Sequence, residues 1–221
     1  SDVYKRQVDM STPQILAITT NGFLTGKIIK DMKNILEYSK NKKIQITLQF
    51  SLDAIGKKHD KLRGQKNSFS NLLKSYYSIK SIQAEYKNLT ISVQTTISKY
   101  NIEDFQETYE YITKRLKPDS FGVALADRVY TAELPGEKKQ PKYISITDAQ
   151  KKDMFGILLQ ESKKSINLTS KIAFLLRKTY YRLLLENKHL PCYSTFSTCE
   201  IDPYGNVYPC PNLKFNFSLL G

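Results

Sequence analysis

From residue 14 to residue 126, apolar and polar positions alternate in short bursts, and each burst is followed by a stretch with helical spacing. Residues 14–20 (QILAITT) read as a strand. Residues 25–40 read as a helix, with Ile28, Ile29, Met32, Ile35 and Leu36 on one side. The same pattern predicts strands over 44–52, 89–97 and 120–126, with helices over 68–86 and 102–116 between them. Four strands separated by helices predict parallel βαβ units and an α/β fold.

The two central strands are two-faced. In one, Ile44, Ile46, Leu48, Phe50 and Leu52 alternate with Gln45, Thr47, Gln49 and Ser51. In the other, Leu89, Ile91, Val93, Thr95 and Ile97 alternate with Thr90, Ser92, Gln94, Thr96 and Ser98. Parallel strands covered on both faces read as unbroken apolar runs, and these do not. One reading is a curved sheet with helices on its oily side, its hydroxyl and amide side lining a ligand cavity, Thr47, Gln49, Gln94 and Thr96 among the lining. The other is an antiparallel sheet with one wet face, which the intervening helices disfavour.

Beyond the fourth strand come a polar loop over 129–143 with Pro135, Gly136 and Pro141, and two helices over 147–164 and 168–188. A cysteine- and aromatic-rich tail follows. Residues 1–7 (SDVYKRQ) read as a non-native scar. The expected organisation is therefore an α/β body over 8–146, linking helices over 147–190 and a separate extension over 191–221.

Composition narrows the classes. With 40% hydrophobic and 25% charged residues among 221, the chain is not disordered. No apolar run is long enough to span a bilayer, and no charged-then-apolar leader opens the chain, so a cytoplasmic location without a membrane partner is expected. Three cysteines, an odd number confined to the tail, make no disulfide framework. The net charge of +13 invites a nucleic-acid reading. Lys outnumbers Arg 28 to 6, however, and is scattered in pairs, which fits a solvated basic surface better than a phosphate-reading site.

Chemistry in parallel sheets collects at the carboxyl ends of strands. Those ends carry Thr20-Asn21-Gly22, Ser51-Leu52-Asp53, Lys99-Tyr100-Asn101 and Asp127-Arg128. A hydroxyl and a carboxylate can hold a ribose, and Arg63 can grip a carboxylate with two donors. Each also has a structural reading: Asn21-Gly22 as a turn, Asp53 as a helix cap, and Asn101 as the N-cap of the helix beginning at Ile102. In the tail, Cys192 and Cys210 flank a hairpin pattern, Ile201-Asp202, a Pro203–Asn206 turn and Val207-Tyr208. Thiolates at both ends can meet on an iron–sulfur cluster or zinc. Cys199 reads as a buried thiol or as a weaker third ligand.

Taken together, ITTNGFL at 18–24, FSLDAIGKKHDKLRG at 50–64 and TTISKYN at 95–101 resemble the second half of the partial six-unit barrel of radical S-adenosylmethionine (SAM) enzymes. The tail, C-x12-G-x4-C from Cys192 to Cys210, resembles the SPASM or twitch extension of that family. The resemblance implies a partial (βα)6 barrel in which Ser51, Asp53 and Arg63, and more weakly Thr20 and Asn21, approach SAM. It implies Cys192, Cys210 and, weakly, Cys199 as ligands of an auxiliary [4Fe–4S] cluster.

It implies further that a reduced [4Fe–4S] cluster cleaves SAM to a 5′-deoxyadenosyl radical that abstracts hydrogen from a peptide or protein substrate. The electron would come from a donor such as ferredoxin or flavodoxin. Ala54 stands where the family often has Gly, and the family's Cys-x3-Cys-x2-Cys and Gly-Gly-Glu-Pro-like segments are absent. The chain is therefore expected to be an internal piece of a longer enzyme, inactive and prone to aggregate alone. The rival expectation is a basic, zinc-binding module without catalysis.

Overall fold

The computed structural model describes residues 2–11, 13–126 and 145–163, short pieces between 175 and 186, and the pairs 200–201 and 207–208. In chain order the elements are α1 (Asp2–Ser11), β1 (Ile15–Thr20), α2 (Thr25–Ser39), β2 (Gln45–Ser51), α3 (Lys57–Arg63) and α4 (Ser68–Ile82). They continue with β3 (Leu89–Ile97), α5 (Phe105–Glu110), β4 (Ser120–Leu125), α6 (Asp148–Lys163), β5 (Glu200–Ile201) and β6 (Val207–Tyr208). The chain divides into two units, Ser1–Leu125 and Ala126–Gly221.

In the first unit β1-β2-β3-β4 form one sheet in sequence order, every pair parallel. The period-2 alternation decides which face is covered. Ile46, Leu48 and Phe50 of β2 and Ile91 and Val93 of β3 are buried against Met32, Ile35 and Leu36 of α2 and Leu72, Tyr76 and Ile79 of α4. Each such side chain contributes about 1.5–3 kcal/mol of transfer free energy. Tyr76 brings a hydroxyl into this core. Its ring meets Phe50 edge-on at 5.5 Å, and its hydroxyl donates to the Leu116 carbonyl at 3.0 Å, so burial leaves no orphan. The other face of the sheet carries the hydroxyls and amides, as the alternation predicts.

Two segments differ from the sequence reading, and a third, at the start, adds to it. Residues 57–63, to which the periodicity assigns no element, form α3, which Gly64 ends in the left-handed conformation at φ 64°. The helix expected over 102–116 is a 3-10 turn (Ile102–Asp104), then α5, then a π-helical turn (Tyr111–Leu116). That turn closes with the Lys117 N–H on the Ile112 carbonyl at 2.9 Å. Residues 2–7 of the segment read as a scar are helical within α1, and the part of α1 beyond them reaches the core. Val8 is buried, and Asp9 accepts from Lys42 Nζ at 2.6 Å and from the Tyr38 hydroxyl.

In the second unit α6 begins with a reciprocal cap: the Gln150 N–H donates to Thr147 Oγ1 at 3.3 Å, and the Thr147 N–H donates to Gln150 Oε1 at 3.0 Å. β5 and β6 pair antiparallel, Glu200 with Tyr208 and Ile201 with Val207, as the hairpin pattern predicts. Residues 175–176, 178–179 and 182–183 are helical, within the expected helix over 168–188. The loop over 129–143, Asp127-Arg128, and Cys192, Cys199 and Cys210 lie outside the described residues. Among the described residues no helix is long and apolar enough to cross a membrane.

Candidate functional site

The carboxyl end of β2 is densely cross-linked. Asp53, just past β2, has both carboxylate oxygens engaged: Oδ1 accepts from the Thr96 N–H at 2.9 Å, and Oδ2 pairs with Arg63 Nη2 at 2.7 Å. Its own N–H donates to His59 Nδ1 at 3.3 Å, and its carbonyl accepts from Asn101 Nδ2 at 2.8 Å. Arg63 Nη2 also donates to the Ser51 carbonyl at 3.3 Å. The ion pair is partly shielded, with 29% of the Arg63 side chain and 12% of the Asp53 side chain exposed.

The spacing of the motif explains this clustering. After Asp53 the chain turns through Gly56 at φ 60° into α3, whose two turns place His59 under Asp53 and return Arg63 to the strand end. Asp60 ties α3 to α4 by accepting from the Asn67 N–H and the Phe69 N–H, each at 2.8 Å. These bonds to the start of α4, Phe69 first, lower the Asp60 pKa. His59 is fully buried, edge-on to Phe69, and its Nε2 has no hydrogen-bond partner among the described residues. Burial pushes its pKa down from 6.5 to about 4, against the opposing pull of Asp53, so the imidazole is neutral.

At the neighbouring end of β1, Thr20 Oγ1 accepts from the Gly22 N–H at 3.1 Å and Asn21 Oδ1 from the Phe23 N–H at 3.1 Å. Both side chains shape their own turn. Gly22 has φ 75°, and its carbonyl accepts from the buried Ser75 hydroxyl of α4 at 2.6 Å. Asn101 is buried but makes no N-cap bond. Its amide nitrogen donates to Asp53 and Thr96 carbonyls, and its oxygen accepts from Ser98. The N-cap expectation for Asn101 is thus replaced by a role as a strap between strand ends. Buried Thr95 adds another, donating to the Leu52 carbonyl at 2.7 Å. Nothing in the alternation singled out Thr95 or Asn101 beyond their position at a strand end.

The polar sheet face runs up to this cluster. Ser51 lies on it, half-buried, and its hydroxyl has no hydrogen bond among the described residues. Below it the Thr19 hydroxyl donates to Gln49 Oε1 at 3.4 Å, Gln49 Nε2 donates to Gln94 Oε1 at 2.8 Å, and Gln45 Nε2 donates to Thr90 Oγ1 at 2.7 Å. Thr47 and Thr96 lie on the same face, paired across the sheet with Thr90 and Ala124. The structure therefore brings Ser51, Asp53 and Arg63 together, with Thr20 and Asn21 at the adjacent strand end.

This architecture, parallel strands with helices on the apolar side and polar groups at the carboxyl ends, is that of part of an open α/β barrel. The chain is similar to anSMEcpe, a radical SAM enzyme solved with bound AdoMet, at a TM-score of 0.52 and 16% identity. The match covers 92% of this chain and 52% of that one. It is also similar to anSMEcpe solved with AdoMet and the Kp18Cys peptide, at a TM-score of 0.52 and 15% identity, covering 98% of this chain and 66% of that one. The chain thus spans about half the length of the first of these. No family model and no curated protein matches the sequence.

Proposed function

We propose that this chain supplies the SAM-holding half of a radical SAM active site. The observation that carries the reading is the meeting, at one strand end, of an unengaged Ser51 hydroxyl with the Arg63 guanidinium, in a fold whose solved neighbours carry AdoMet. Arg63 uses only Nη2 in these contacts, so its other donors can take the methionyl carboxylate while Ser51 bonds the ribose. Asp53, with both oxygens engaged, aims Arg63 rather than touching SAM. Thr20 and Asn21, each spent on its own turn, close the neighbouring side.

The polar sheet face, with Thr47, Gln49, Gln94 and Thr96, is read as the cavity wall, and a peptide or protein as the substrate. The second neighbour, which holds a peptide together with AdoMet, supports that class. The described residues contain no group of three His, Cys, Asp or Glu side chains that could hold a metal. Cluster ligation therefore rests on the spacing of Cys192 and Cys210, with Cys199 as a weaker ligand. When bound to SAM, a reduced [4Fe–4S] cluster supplies the electron that cleaves it, drawn from a donor such as ferredoxin or flavodoxin. This chain's part is to hold SAM still and exclude water. Alone it is proposed to bind SAM without turning it over, in the cytoplasm.

The test is calorimetric titration of SAM into the chain. Ser51→Ala with Arg63→Ala should weaken SAM binding by roughly tenfold or more, a loss of charge-assisted hydrogen bonds. Unchanged affinity removes the assignment. Zinc in the purified chain, with anion binding that falls steeply as salt rises, would favour the zinc-module reading instead.

A further inference from the structure

The polar sheet face has a property that neither a solvated surface nor a buried core shares. The fourteen positions that face this side on β1–β4, from Ile15 to Ala124, include no charged residue. The chain as a whole is 25% charged and carries a net +13. A sheet face left to water at that composition would carry several lysines and glutamates, whereas a face meant for burial would be aliphatic. This one, apart from Ile15 at its corner, is built of hydroxyls, amides and small residues.

Its centre is ordered in one direction. Thr19 donates to Gln49, and Gln49 donates to Gln94 Oε1, which leaves the Gln94 amide nitrogen as the chain's outward donor. Opposite Gln94 in the register stands Gly122, and a Cβ there would collide with Gln94 Oε1. The glycine is the space into which the Gln94 amide turns.

We infer that this face is a charge-excluding recognition surface for an uncharged stretch of polypeptide, with Gln94 donating to a main-chain carbonyl and Gly122 setting the position of that donor. The inference rests on the cavity reading above and names the residues that select within it. A neutral, donor-terminated amide chain matches a peptide main chain, whereas a ligand bringing a carboxylate or ammonium onto the Gln49–Gln94 centre of this face, away from Arg63, is desolvated without a partner. Gln94 and Gly122 are then specificity-determining positions, distinct from the SAM-holding pair at the strand end.

The experiment follows glutamine side-chain amide resonances in the 15N-glutamine-labelled 221-residue chain, with Gln94 assigned by its loss in Gln94→Leu. The probes are a blocked hexapeptide of Ser, Gly and Thr, the same peptide carrying one central Glu or Lys, and maltohexaose. The neutral peptide should shift the Gln94 amide, and either charged peptide should bind roughly tenfold more weakly or worse. Gly122→Ala, followed on the Gln49 side-chain amide so that the readout survives replacement of Gln94, should weaken the neutral peptide by about tenfold in the native chain and not in a Gln94→Ala background, because the two residues act through one contact. Should Gly122→Ala fail to fold, Gln94→Glu carries the test, weakening the neutral peptide and abolishing binding of the Glu peptide.

An unmoved Gln94 amide, equal binding of charged and neutral peptides, or equal effects of Gly122→Ala in both backgrounds overturns the inference. A shift with maltohexaose alone overturns the peptide assignment. SAM titrated into the same sample separates the two proposals. SAM binding with an unmoved Gln94 sinks only this one, and a peptide-shifted Gln94 without SAM binding sinks only the SAM site.

Discussion

Asp53 and Ser51 stand two residues apart at the end of β2, yet their side chains do different work. All four polar groups of Asp53 are spoken for: its carboxylate by Thr96 and Arg63, its N–H by His59, its carbonyl by Asn101. Ser51 lends its carbonyl to Arg63, and its hydroxyl has no hydrogen bond among the described residues. Asp53→Ala should therefore cost about 2–4 kcal/mol in urea unfolding, since it strands a mostly covered guanidinium and a backbone donor. Ser51→Ala should cost less than about 0.5 kcal/mol while still affecting SAM. Equal stability losses would erase the distinction between a residue that positions and one that contacts.

His59 adds a pH signature at the same scale. The unfolded chain takes up its proton through pH 6.5, while the buried, neutral imidazole resists until about pH 4. Its contribution is thus full above pH 6.5 and is lost as the pH falls toward 4, at about 1.4 kcal/mol per unit and on the order of 3 kcal/mol in all. Urea midpoints at successive pH values across that window should fall for the native chain and stay flatter for His59→Gln. Parallel curves would mean that the ring is hydrated and ordinary.

At the scale of elements, the turn after β1 shows how strand and helix are locked together. Gly22 sits at φ 75° with Leu72 of α4 directly behind it, so that an added Cβ would lie 2.8 Å from the Leu72 Cα. Backbone strain and overpacking act together, and Gly22→Ala should cost about 2–4 kcal/mol and lower the thermal midpoint. A neutral effect would show that β1 and α4 can slide apart.

The β-strands were legible because their alternation is a two-residue signal that survives in seven residues, and β3 matches its expected bounds end to end. α3 was not legible. KKHDKLR has only Leu62 as an aliphatic position, and its helix is held by Asp60, His59 and Arg63 reaching outward, which periodicity does not register. The π turn was hidden for a related reason: Ile112 and Leu116 are both buried at a spacing that an α-helix would also give. The strand-end residues were legible as a group, but which of them would be spent on the fold and which left free depends on hydrogen bonds between segments 40 or more residues apart.

For the whole molecule, two opposed forces meet at β1. Its partner is β2, and among the described residues no strand lies on its other side, where Ile15 is 64% exposed and Leu24 just beyond the strand is 58% exposed. An open parallel edge with apolar flanks is a template for pairing with another chain. The net charge of +13 holds such chains apart. That repulsion acts over a Debye length of about 30 Å at 0.01 M ionic strength and about 3 Å at 1 M. Self-association should therefore strengthen as salt rises, and Ile15→Lys, which places a charge on the edge, should suppress it. Sedimentation velocity at the two ionic strengths, on both chains, reads this directly. Assemblies that dissolve in high salt would instead trace association to the basic surface and an anionic partner, because binding through released counterions weakens with salt while edge pairing does not.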